Sequence, residues 1–114
     1  MDECIFCKIV AGEIPSSKLY EDDEVIAFRD ISPQAPVHVL VVPKKHISGV
    51  NTIGPEDAGL LGHVFSVIQN LVCELGVDET GYRIVVNSGK DGQQSVPHLH
   101  FHVLGGRSME WPPG

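Results

Sequence analysis

Positive charge is scarce in this chain of 114 residues. Lysine and arginine number eight against fifteen aspartates and glutamates, a formal net charge of −7 with the six histidines neutral. Such a chain repels a phosphate polymer, which argues against a nucleic-acid partner, while a small anion held in one local pocket stays allowed. Cysteine is sparse and odd in number: Cys4, Cys7 and Cys73. A disulfide-stapled secreted domain carries a denser, even set. Long apolar runs are missing too. The longest, Val39 to Val42, is far too short to cross a bilayer, so no membrane partner is expected. The opening MDECIFCKIV shows no basic segment followed by a long apolar stretch, hence no visible signal peptide. The expectation is a cytoplasmic protein in a reducing compartment. Repeats, low-complexity tracts and linkers are absent, and the length suits a single domain over residues 1–114. Apolar residues at 42% and charged residues at 20% suffice for a core without staples.

What is present divides into short elements. Cys4 to Ala11 reads as a short helix stopped by Gly12 and Pro15. Glu21 to Glu24 is a run of acids expected in a solvated turn. Val25–Phe28 and Val37–Val42 read as strands bounded by Asp30, Pro33, Pro36 and Pro43. The period then changes: Leu61, Val64, Phe65, Ile68, Leu71, Val72 and Leu75 recur at spacings of three and four, the wide face of an amphipathic helix. Pro55, Glu56 and Asp57 suit its first turn, Gly76 suits its end, and Cys73 reads as core. Leu60 and Val67 broaden that face, which points to a second surface in need of burial. Tyr82–Asn87 and Leu99–Leu104 are two further strands, separated by the turn-rich Ser88–Gly92. This order implies an α+β fold with a mostly antiparallel sheet.

His98, His100 and His102 alternate with Leu99, Phe101 and Val103. On a strand, alternation puts three imidazoles on one face at about 6.6–6.8 Å intervals and the apolar residues on the other. At this histidine frequency only about 0.02 such triplets are expected by chance. Three readings compete: a solvated polar face, a metal site built on His-x-His, or a nucleophilic imidazole flanked by two that orient it. The preceding loop favours the third, because Asn87, Gly89, Gly92, Gln94 and Ser95 offer amides, a hydroxyl and free backbone N–H groups for a phosphate oxyanion.

The segment GQQSVPHLHFHVLGG is similar to the histidine triad (HIT) signature, in which three histidines alternate with apolar residues. DISPQAPVHVLVVPKKHI and the terminal GGRSMEWPPG resemble the Hint branch, the histidine triad nucleotide-binding proteins. The likeness runs from Ile5 essentially to the C-terminus. It implies a HIT-like fold with one long and one short helix and an antiparallel sheet continued across a homodimer. It also implies an enzyme that binds purine nucleotides such as AMP and GMP. The reaction is cleavage of the bond to the α-phosphorus of nucleoside phosphoramidates or acyl-adenylates, through a nucleotidyl-histidine at His100. The alternative, from another class, is a nucleotide-sensing interaction protein whose turnover is incidental.

By the same resemblance, His38, His98 and His102 orient His100, hold protons or meet the phosphate, and Asn87 and Ser95 contact phosphate oxygens or the leaving-group atom. Asp30 corresponds to a ribose-binding acid; read alone, it serves equally as a turn residue before Ser32-Pro33. Ile5, Phe6, Ile9, Phe28, Ile31 and Leu40 correspond to the slot around the purine, although the residues alone read as ordinary core. Trp111 corresponds to a residue that reaches the partner's site in the dimer. No cofactor is required for catalysis. Some relatives with the Cys4-x-x-Cys7 pair bind a structural zinc, for which the corresponding ligands are Cys4, Cys7, His46 and His98. For the pair alone, two buried cysteines on a short helix are the commoner explanation.

Overall fold

The computed structural model describes residues 4–114; the first three residues of the expected 1–114 domain lie outside the described ones. A short helix α1 (Ile5–Val10) leads into strands β1 (Lys18–Glu21), β2 (Val25–Arg29) and β3 (Val37–Pro43). The long helix α2 (Ala58–Glu74) and strands β4 (Tyr82–Val85) and β5 (Phe101–Gly105) complete the chain. The strands form one antiparallel sheet in the order β1-β2-β3-β5-β4. The α+β class and the pair of helices are as the sequence implied. No described helix is long and apolar enough to cross a membrane.

Strand parity divides the molecule into two layers. Val25, Ala27, Val39, Val41, Phe101 and Val103 face α2 and pack on its Val64, Val67, Ile68, Leu71 and Val72. The opposite parity carries Ile26, Phe28, Leu40 and Val42, which pack on Cys4 and Phe6 at α1. β2 and β3 are covered on both faces, so they read as continuous apolar runs rather than as alternation. His38 and His102 share the α1-facing parity and stand beside the smaller core.

Several boundaries differ from the sequence reading. Lys18–Glu21 forms an edge strand that composition did not reveal, because its outer side chains are exposed and show no apolar alternation. The acidic run is only partly solvated. Asp22 accepts from the Glu24 and Val25 amides at 2.7 and 2.8 Å, from the Tyr20 hydroxyl at 2.7 Å, and meets His63 Nε2 of α2 at 2.6 Å. Burial opposes its charge, yet these bonds hold its carboxyl well below the usual carboxylate range. Pro55–Asp57 is a 3-10 turn, and α2 proper starts only at Ala58. Cys73, expected in the core, is exposed on α2 beside Asp78.

The last strand begins at Phe101 rather than Leu99. Although β3 runs on to Pro43, its ladder with β5 stops at the Val41–Phe101 pair, and the Leu99 amide donates to the Ile47 carbonyl at 2.6 Å. β4 stops at Val85, opposite His102, because beyond that point β5 offers no ladder. Only His102 therefore lies within a strand. His98 ends a bend and His100 follows it, both ahead of the strand, and Leu99 still points into the α2 layer.

Candidate active site

Hydrogen bonds to ring nitrogens decide what each imidazole can do, since a neutral ring has one donor and one acceptor. The Nδ1 of His100 lies 2.6 Å from the carbonyl oxygen of His98. A carbonyl only accepts, so Nδ1 carries the proton and Nε2 keeps its lone pair. Among the described residues no buried side-chain nitrogen or oxygen lacks a partner and none bonds Nε2, so that nitrogen keeps some exposure although His100 as a whole is 4% exposed. The Phe6 ring stands edge-on against His100, with centroids 5.0 Å apart.

A second chain of bonds runs beside it. The Gln34 amide donates to His38 Nδ1 at 3.0 Å, leaving the proton of a neutral His38 on Nε2. That Nε2 lies 2.9 Å from His102 Nδ1 and 3.4 Å from Asp30 Oδ2. His102 Nδ1 is thus an acceptor, and its own proton sits on Nε2. Burial, then the like charges of His100 and His38, push the His102 pKa down to about 4. Burial also lowers His38, with Asp30 opposing. Both rings are neutral at pH 7. The Asp30 Oδ1 accepts from the Ser32 amide at 2.8 Å and so closes a turn, while its Oδ2 lies 3.4 Å from His38 Nε2 and 4.0 Å from His102 Nδ1. Asp30, His38 and His102 also gather their donor atoms within 4.8 Å. A cation there would need the lone pair of His38 Nε2, which the Gln34 amide denies it.

A separate cluster lies behind His98. His98 Nε2 donates to the Pro43 carbonyl at 2.8 Å, which aims the Nδ1 lone pair inward. That Nδ1 lies 3.1 Å from His46 Nδ1, 3.3 Å from Cys4 Sγ and 3.6 Å from Cys7 Sγ, and Cys7 Sγ is 3.2 Å from His46 Nδ1. A tetrahedral zinc with bonds of about 2.0 Å to nitrogen and 2.3 Å to sulfur has edges of roughly 3.3 to 3.8 Å, so the spacing fits. The donor set fits as well: the His98 tautomer is fixed by a backbone carbonyl, and the four ligand atoms lie within 4.8 Å of one another. Burial, followed by a hydrogen bond that the Cys7 thiol donates to Cys4, raises the Cys7 thiol pKa.

The remaining sequence-based candidates are placed unevenly. Phe6, Phe28 and Leu40 form one buried cluster with Ile9 packed against it, and the Phe6 and Phe28 rings meet edge-on at 5.8 Å. Ile5 is exposed, and Ile31 projects fully into solvent. Trp111 is 81% exposed on its own chain, its ring 5.8 Å from the Arg83 guanidinium. Ser95 is exposed, and Asn87 is half-buried with its amide 3.5 Å from the Gln93 carbonyl. Gln94 is not free to meet an anion. Its Nε2 donates to the Ser48 and Val96 carbonyls at 2.8 and 3.0 Å, and its Oε1 accepts from the Gly89 amide at 3.2 Å. Gly92 is required in this loop, because a Cβ there would stand 2.4 Å from the Ser88 carbonyl oxygen.

Sequence comparison agrees with this geometry: the HIT domain family matches residues 11–109. The chain belongs to the HIT family. An uncharacterized HIT-like protein of Synechococcus elongatus is 49% identical to this HIT chain over 113 residues, 99% of this chain and 98% of that protein. A HIT family hydrolase from Legionella pneumophila superposes with a TM-score of 0.97 at 48% identity, covering 98% of this chain and all of the other. A histidine triad nucleotide-binding protein from Candida albicans superposes with a TM-score of 0.83 at 38% identity, over 96% of this chain and 83% of that one. In this HIT fold, an imidazole lone pair open to solvent beside proton-bearing imidazoles makes a hydrolase-type site.

Sequence reasoning missed two contributors, both on the backbone. The His98 carbonyl sets the His100 tautomer, and the Gln34 amide sets that of His38. Residue type gives no signal for either, since every non-proline residue carries both groups.

Proposed function

We propose that the chain is a purine nucleotide-binding hydrolase of the Hint branch, a single HIT domain acting on nucleoside 5′-phosphoramidates or acyl-adenylates. The observation that carries this reading is the His100 tautomer: Nδ1–H on the His98 carbonyl leaves Nε2 as a nucleophile that reaches solvent. The lone pair of Nε2 attacks the α-phosphorus and the bond from phosphorus to the leaving group breaks, an amine departing with a proton taken from water and an acyl group departing as its carboxylate. Water then opens the nucleotidyl-histidine, releasing the mononucleotide. His102, neutral and protonated at Nε2, donates a hydrogen bond to a phosphoryl oxygen in the manner of an electrophilic neutral imidazole. Asn87 and Ser95 serve the phosphate and leaving-group side. Asp30 serves the ribose hydroxyls, and Phe6, Phe28, Leu40, Ile9, Ile5 and Ile31 border the base.

A zinc held by Cys4, Cys7, His46 and His98 is structural in this reading, tying α1 to the segment after β3. Four protein ligands leave it no open position for substrate, and His98 then takes no part in proton handling. The homodimer rests on what one chain leaves uncovered. Val64, Val67 and Ile68 are spent on the core, yet Phe65 of the same helix is about half exposed, and β1 and β4 are open sheet edges. Trp111, with little to cover it on its own chain, is free to meet the partner.

The test is a rapid-quench reaction with adenosine 5′-phosphoramidate followed by peptide mass analysis. An adenylyl adduct on His100, and loss of turnover in His100→Ala with AMP affinity within a few-fold of wild type, are expected. A variant retaining near-normal kcat overturns the covalent mechanism. AMP binding without turnover by the wild-type chain would instead mark a sensing role.

A further inference from the structure

The C-terminal tail reaches the histidines through one residue. Arg107 Nε donates to the Gln34 carbonyl at 3.0 Å, and its Nη1 donates to the Ser108 carbonyl at 3.2 Å. Gln34 is the residue whose own amide donates to His38 Nδ1. Among the described residues Arg107 forms no ion pair, so its fork is given over to carbonyl oxygens. The loop it grips lies at the surface. Residues 31–34 are exposed, and Pro33 and Pro36 have no amide to donate. The Asp30 amide on the His38 carbonyl at 3.0 Å closes its base, and within it the Gln34 side chain donates to the Ser32 carbonyl at 3.0 Å and the Ser32 amide to Asp30.

The consequence follows from proton counting. An amide can only donate, so Gln34 in place makes His38 Nδ1 an acceptor and puts the His38 proton on Nε2. That proton faces His102 Nδ1 at 2.9 Å, which places the His102 proton on Nε2 in turn. One backbone amide thereby orders two rings. If it drifts, His38 is free to carry its proton on Nδ1, and the pair of nitrogens between the rings loses its single defined arrangement.

We propose that Arg107 is a positioning residue that, through Gln34, locks the tautomers of His38 and His102. Its effect on turnover rests on the hydrolase reading above, whereas its effect on the rings does not. The ligand-free protein with 15N-labelled histidine, examined by long-range proton–nitrogen correlation at pH 7.5, should show protonated Nε2 and unprotonated Nδ1 on both rings. Arg107→Ala should move both nitrogens of His38 toward averaged shifts, with His102 following. Arg107→Lys keeps a donor for the carbonyl and should restore most of the wild-type pattern. With adenosine 5′-phosphoramidate, Arg107→Ala should lower kcat roughly 10-fold, part of the 10²–10⁴ that a positioned proton supplies, while KM stays within about two-fold. Wild-type nitrogen shifts in Arg107→Ala overturn the proposal. So does a loss of turnover that Arg107→Lys fails to rescue while the shifts stay put. Absence of turnover in the wild-type chain strikes the hydrolase reading alone, because the nitrogen shifts still decide the lock.

Discussion

Phe6 joins the two halves of the histidine face, and its removal separates local from global stability. The ring is 6% exposed and stands edge-on to Phe28, His98 and His100 at 5.8, 5.9 and 5.0 Å. Truncating a buried phenylalanine to alanine costs about 3–5 kcal/mol, and the low end applies here because a six-residue helix can settle partly into the gap. The cost falls on the docking of α1 more than on the sheet, since the larger core between sheet and α2 contains no α1 residue. A docking loss of about 3 kcal/mol multiplies the undocked population roughly 100-fold. Cysteine labelling reads this directly. In metal-free protein, buried Cys4 reacts only when α1 lifts, whereas exposed Cys73 serves as an internal standard in the same chain. Phe6→Ala should speed Cys4 labelling on the order of 100-fold, leave Cys73 unchanged, and shift the urea midpoint by less than the docking loss implies. Cys4 labelling within three-fold of wild type would refute the argument. So would an acceleration that merely tracks a matching loss of global stability.

Three further outcomes are expected. The pKa of His102 falls from an unfolded value of 6.5 to about 4, so between these values the unfolded chain binds a proton that the folded one does not. Its contribution is complete above pH 6.5 and declines as pH drops toward 4; urea titrations of wild type and His102→Gln should diverge in slope over that window, by on the order of 3 kcal/mol, and parallel curves refute it. Metal analysis of protein purified without chelator should find about one zinc per chain, reduced in Cys4→Ser; two freely titratable thiols at Cys4 and Cys7 with no metal would return the pair to ordinary packing. Light scattering should give about twice the 12.4 kDa chain mass, and Phe65→Glu, on the exposed side of α2, should shift it toward monomer with the fold intact. Val64 cannot serve this purpose, because it is wholly buried in its own core and an acid there would unfold the chain.

Much of the fold was legible because it is written in periodicity. The three-and-four spacing of Leu61 to Leu75 and the apolar runs at Val25 and Val37 are local signals, and the structure places α2, β2 and β3 within a few residues of them. The histidine alternation likewise put His98, His100 and His102 opposite Leu99, Phe101 and Val103, and that division holds although only His102 lies in a strand. Local patterns could not report where a partner strand ends. β5 starts late because the Leu99 amide bonds the Ile47 carbonyl outside the sheet, and β4 stops at its pairing with His102, which are facts about pairing. They could not say which apolar side chains a neighbour covers, so Phe6 and Ile31 looked alike, although one is buried and the other stands in solvent. The protonation of the site lay furthest from the sequence. Which nitrogen of His38, His98, His100 and His102 carries a proton is decided by the backbone groups of Gln34, Pro43 and His98, and those groups are the same in almost every residue. Side-chain identity supplied the imidazoles, and the path of the main chain decided what each of them can do.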